Sequence, residues 1–91
     1  MMNKAIITVV GKDQVGIIAK VCTYLADAKI NILDISQTIL QGYFNMMMIV
    51  DVTECENDFA NIAETLEQLG QEIGVNIKLQ HEDIFNKMHR L

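Results

Sequence analysis

Apolar and polar positions recur along this chain in runs whose spacing predicts strand, helix, strand, strand, helix, strand. Ala5 to Val10 is β-branched and apolar on both faces, as a central strand requires. Gly11 to Gln14 reads as a turn. From Val15 the apolar residues fall at Ile18, Val21, Cys22 and Leu25, the three-four spacing of a helix with one buried stripe. Asp13 is the expected N-cap, and Lys29 is expected in the last turn, where a cation is favoured. Asn31 opens a second strand through Leu40, with Leu33, Ile35, Gln37 and Ile39 on one face and Ile32, Asp34, Ser36 and Thr38 on the other. Gln41-Gly42 is a hairpin signal.

The third strand runs from about Tyr43 to Val52, and Met46-Met47-Met48 puts flexible thioethers on both of its faces. Thr53 to Asn57 is a polar connection, with Thr53 (three residues before Glu56) or Asn57 as the helix cap. Phe59, Ile62, Ala63, Leu66, Leu69 and Ile73 form a second stripe, with Gly70 inside it and Gly74 as the C-terminal stop. Val75, Ile77 and Leu79 alternate with polar residues as a one-sided fourth strand. Ile84, Met88 and Leu91 return to helical spacing, so a short helical tail is expected over about 83–91. The order implies a single α+β domain over 1–91: a ferredoxin-like βαββαβ arrangement, a four-stranded antiparallel sheet with two helices on one face. Apolar residues on both faces of the second and third strands point to a homodimer that covers them.

Composition narrows the function classes. The chain has 91 residues, is 51% hydrophobic, lacks proline and carries a net charge of −5. That suits one ordered core, and the acidic balance argues against nucleic acid as a partner. No run is long enough to span a membrane, and the N-terminal apolar run is cut short by Gly11-Lys12-Asp13 with no cleavage site after it. Two unpaired cysteines, Cys22 and Cys55, fit a reducing, cytoplasmic setting.

The turn at Gly11 to Gly16 has the spacing of a phosphate loop, but Ile17 and Ile18 stand where the lysine and hydroxyl would be, which excludes a nucleotide triphosphate site. Two readings of the glycines remain open together. Gly11 makes a tight turn and Gly16 lets the helix approach the sheet, or free amides at the helix N-terminus receive a small anion. The run Gly11-Lys12-Asp13-Gln14-Val15-Gly16-Ile17-Ile18-Ala19-Lys20-Val21, then Leu25 and Lys29-Ile30-Asn31-Ile32, resembles the ACT domain family, the small-molecule regulatory module of amino-acid metabolism. The resemblance covers nearly the whole chain and is to stand-alone bacterial members; it extends distantly to the glycine cleavage system transcriptional repressor. It implies an amino acid bound where the first turn of one subunit meets the second strand of its neighbour. The residues it implies are Gly11, Asp13, Gln14, Val15, Gly16 and Ile17 from the turn, with Asn31 and Ile32 from the strand. Turn amides would take the carboxylate, Asp13 the ammonium and the Asn31 amide either end. Asp13 as a plain helix cap and Asn31 as a residue tolerant of an awkward backbone turn are the competing structural readings.

Nothing else gathers into a catalytic group. Asp34, Ser36 and Thr38 read as a wet strand face, and His81 and His89 lack a zinc spacing. Cys22 sits on an apolar stripe, and Glu54 and Glu56 disfavour a Cys55 thiolate. With no acid, base and nucleophile converging, an enzyme is not expected, nor is a cofactor or metal. The expectation is a regulatory homodimer that binds an amino acid and signals to a protein partner. The alternative is a ligand-independent interaction module that uses the open sheet face or the Ile84–Leu91 tail.

Overall fold

In the computed structural model, which describes residues 3–12 and 14–81, the predicted order of elements holds. β1 (Lys4–Lys12), α1 (Ile17–Asp27), β2 (Asn31–Leu40), β3 (Tyr43–Asp51), α2 (Phe59–Ile73) and β4 (Val75–His81) follow one another along the chain. The strands form one antiparallel sheet in the order β2-β3-β1-β4. This is the ferredoxin-like arrangement expected from the alternation of patterns. The expected tail over 83–91 lies outside the described residues.

One face of the sheet makes the core. Ile7 and Val9 of β1, Met46 and Met48 of β3 and Ile77 of β4 are buried against Ile17, Val21 and Leu25 of α1 and Ile62 and Leu66 of α2. Met47, between two buried methionines, turns to the opposite face and stays partly exposed. The methionine run therefore splits across the sheet as its spacing predicted.

Several local expectations are corrected. The N-cap of α1 is Gly16, with φ 93° and no side-chain cap bond, and not Asp13, which itself lies outside the described residues. Val15 is fully exposed, at 102% of its reference area, and Ile17 takes the stripe position expected of it. Only glycine enters a left-handed cap there without strain, and that conformation fixes where the helix begins. Gly11 is a strand residue and not part of a turn. It pairs with Phe44 on one side and Val75 on the other, and an added Cβ would come within 2.7 Å of Val75 Cγ1. The two glycines thus exchange the structural roles expected of them: Gly11 permits close packing, and Gly16 the turn.

Lys29 lies beyond α1 and not in its last turn. It has φ 61°, its N–H donates to Ala26 O (3.1 Å), and Ile30 N–H donates to Leu25 O (2.9 Å). That is a Schellman ending with a lysine where glycine is usual, sealed by buried Ile30 beside Leu25. The left-handed residue expected at Asn31 is therefore Lys29, and Asn31 begins β2. In β2 the register slips between Ile32 and Asp34, leaving Leu33 as a bulge. Ile32 pairs with Val50 and so joins the face of Ile35, Gln37 and Ile39, leaving the face of Asp34, Ser36 and Thr38 to which the simple alternation assigned it. α2 is capped by Asp58, whose carboxylate accepts from Asn61 N–H at 2.8 Å, and not by Thr53 or Asn57. Gly74 ends α2 in a left-handed conformation, as expected.

Candidate functional site

The first turn begins with an amide that is already in use. Gln14 Nε2 donates to Ile73 O at 2.7 Å, so this side chain ties the turn to the last carbonyls of α2. Past it, Val15 projects into solvent and Gly16 accepts the first helical bond from Lys20 N–H at 3.0 Å. The amides of Ile17, Ile18 and Ala19 precede that bond, and among the described residues no side chain caps them. The turn therefore places a helix N-terminus, with its partial positive charge, beside an exposed valine. Ile17 itself is buried in the core, and Gly11 is held inside the sheet. Of the described members of the predicted set, Gln14 and Val15 are exposed here and Gly16 is half-buried.

Asn31 and Ile32 are at the other end of the molecule. Asn31 is level with Asp51, which is level with Lys4, whereas the turn follows Lys12. The nine residues of β1 at about 3.3 Å each separate these levels by about 26 Å. Within one chain the structure does not bring the predicted residues together.

Around Asn31 lies an open cleft of about 520 Å³ lined by Lys29, Ile30, Asn31, Asp51, Thr53 and Glu54. Its floor is built by local bonds. Asp51 Oδ1 accepts from Thr53 N–H at 2.9 Å and from the Thr53 hydroxyl, while Thr53 Oγ1 accepts from Asn3 N–H at 2.8 Å. The Thr53 hydroxyl and amide, with a smaller backbone contribution from Asn3, hold the Asp51 carboxyl below its ordinary value. One ammonium, two carboxylates and an amide line the cleft, the complement of a small zwitterion. Sequence reading found only Asn31 of this group. The signal for the rest was a helix ending on Lys29 with no glycine to take the left-handed position, and the Asp51-x-Thr53 turn spacing.

Other candidates are accounted for locally. The His81 ring stacks on Phe59 with centroids 3.8 Å apart, and His89 lies outside the described residues. Cys22 and Cys55 are free and half-buried. Among the described residues no cluster of metal-ligating side chains occurs, and no helix is long and apolar enough to cross a membrane.

The sequence profile of ACT domains matches residues 3–80. The chain belongs to the ACT domain family. A UPF0237 protein of Bifidobacterium longum is 63% identical over 90 residues, 99% of this chain and 100% of the relative. Among solved structures, an ACT domain protein from Streptococcus pneumoniae superposes with a TM-score of 0.80 at 46% identity, covering 92% of this chain and 93% of that one. A chain assigned as a glycine cleavage system transcriptional repressor gives 0.72 at 25% identity, covering 88% of this chain and 46% of that one. ACT domains are regulatory ligand-binding modules, so the expected class of protein stands.

Proposed function

We propose that this ACT domain binds a free amino acid between two copies of itself and passes its occupancy to a partner protein in the cytoplasm. The observation that carries the reading is the placement of the α1 N-terminus and the Asn31 cleft at opposite ends of one sheet whose β2 edge pairs with no further strand among the described residues. On that edge Leu33, Ile35, Ile39 and Leu40 are all substantially exposed. An unpaired apolar edge is a template for another strand. Two β2 strands pairing antiparallel about a two-fold axis bring the turn of one copy and the Asn31 cleft of the other to the same end of a joint sheet. In that setting Lys29 and the α1 N-terminal amides attract the ligand carboxylate, Asp51 and Glu54 attract its ammonium, and the Asn31 amide orients it. A ligand held by both copies favours the dimer geometry in which its contacts are complete.

Titration calorimetry of the purified chain against each amino acid tests this. The expected result is saturable heat from at least one of them, lost in Asn31→Ala with the melting temperature unchanged. Silence across the whole set would overturn the reading. A partner captured with equal affinity in the presence and absence of amino acids would favour a ligand-independent interaction module instead, for which the exposed β2 edge also supplies the surface.

A further inference from the structure

β2 carries a polar residue where its pattern asks for an apolar one. Ile32, Ile35 and Ile39 share the helix-facing side of the sheet with Gln37, and Ile35 and Ile39 are 44% and 53% exposed there. The backbone groups of Ile35, Gln37 and Ile39 also turn to the outer edge. Gln41 and Gly42 have φ 53° and 81°, a type I′ two-residue loop, so Leu40 and Tyr43 exchange both hydrogen bonds across it. Alternation then directs the amides and carbonyls of Asp34, Ser36 and Thr38 to β3, and those of Ile35, Gln37 and Ile39 outward. Ile35 agrees: its N–H donates to its neighbour's carboxylate, Asp34 Oδ1, at 2.8 Å.

We propose that two copies join at β2 in one register, with Gln37 on the two-fold axis facing Gln37 of the partner subunit. The inference rests on the β2 dimer of the preceding subsection and fixes which residues meet in it. The β2 ladder is regular only between the bulge at Leu33 and the turn at Gln41, from Asp34 to Leu40, and Gln37 is its midpoint. Centred there, all seven residues of that run find opposites: Ile35 meets the partner's Ile39, Ser36 the partner's Thr38 and Asp34 the partner's Leu40. Moving the axis one residue either way shortens the run to five and sets Gln37 against an isoleucine. An axis between residues would oppose helix-side to open-face positions. The polar residue therefore selects the register, because only opposite itself does its amide meet another amide. In the seam the Ile35 N–H passes from Asp34 to the carbonyl of the partner's Ile39. The same register serves the site. Lys12 is level with Leu40 through Tyr43, and the partner's Asn31 then lies two rungs, about 7 Å, beyond Leu40, on the side where the chain leaves β1 for α1.

Cysteine scanning of the full chain tests this, since directly opposed strand residues lie within disulfide reach and residues two positions out of step do not. Gln37→Cys, Ser36→Cys and Thr38→Cys are oxidised singly, and each disulfide is located by mass spectrometry to tell it from Cys22 and Cys55. Gln37→Cys is expected to form a covalent dimer at least about tenfold faster than either neighbour. Mixing Ser36→Cys with Thr38→Cys should restore fast cross-linking between the two. Fastest self-cross-linking at Ser36→Cys or Thr38→Cys would overturn the register while leaving a β2 dimer in place. Equal rates at all three positions, or none, would overturn the seam itself. The expected pattern together with silent amino-acid calorimetry would support the seam and remove only the amino-acid reading.

Discussion

Tyr24 carries the one buried side-chain oxygen among the described residues that finds no hydrogen-bond partner. Burial, reinforced by neighbouring Cys55, pushes its phenol above the ordinary value, and the nearby Thr65 hydroxyl donates to Asn61 O at 2.9 Å. A stranded hydroxyl costs more than its absence. Tyr24→Phe is therefore expected to stabilise the fold by about 1 kcal/mol in urea denaturation. Asp51 offers a second residue-scale test. Its carboxyl is held below the ordinary value by Thr53, so its contribution is present above the usual carboxylate range and is lost as pH falls through the lowered value. The unaltered chain should melt above Asp51→Asn at neutral pH, with the gap closing in acid. A gap constant with pH would show that the Thr53 bonds do not favour the ionised form. Gly70 gives a third case, because an added Cβ would lie 2.7 Å from Val75 O. Gly70→Ala, favourable on helix propensity alone, should instead lower stability by about 1–3 kcal/mol in the same denaturation measurement.

At the scale of elements, periodicity gave the order of strands and helices, because each buries one stripe and the spacing of that stripe is written directly in the residues. The ends were harder to read. Thr53, Asn57 and Asp58 all have side chains that suit a cap, and only the path of the chain selects Asp58. The cleft at Asn31 was invisible for a related reason. Lys29, Asp51 and Glu54 are adjacent through a helix ending and a strand end that meet only once the sheet is formed. The α1 ending itself is testable. Lysine in a left-handed conformation costs about 1–2 kcal/mol that glycine avoids. Lys29→Gly is expected to raise stability by about 1 kcal/mol in thermal denaturation while weakening any anion bound beside Asn31.

For the whole molecule, the fold alone leaves the predicted site divided between two ends, and a second copy is the simplest way to reunite it. Ile35 and Ile39 are about half exposed on the free edge, so charging them should spare the monomer. Ile35→Lys with Ile39→Lys is expected to give a folded monomer by light scattering, stable within about 1 kcal/mol of the parent, and to abolish amino-acid binding. Retained dimers would move the contact elsewhere.

Leu33 sets how far such a contact can extend. It is the extra residue where β2 slips against β3, and the ladder runs without interruption only from Asp34 to Leu40. Bulges sharpen strand twist and leave backbone groups out of step. An incoming strand would meet a kink there and stop short of Asn31, keeping the cleft mouth clear of main chain. The misfit in the edge would thus act as a spacer, holding a doorway open for a small visitor while the two sheets knit together beside it.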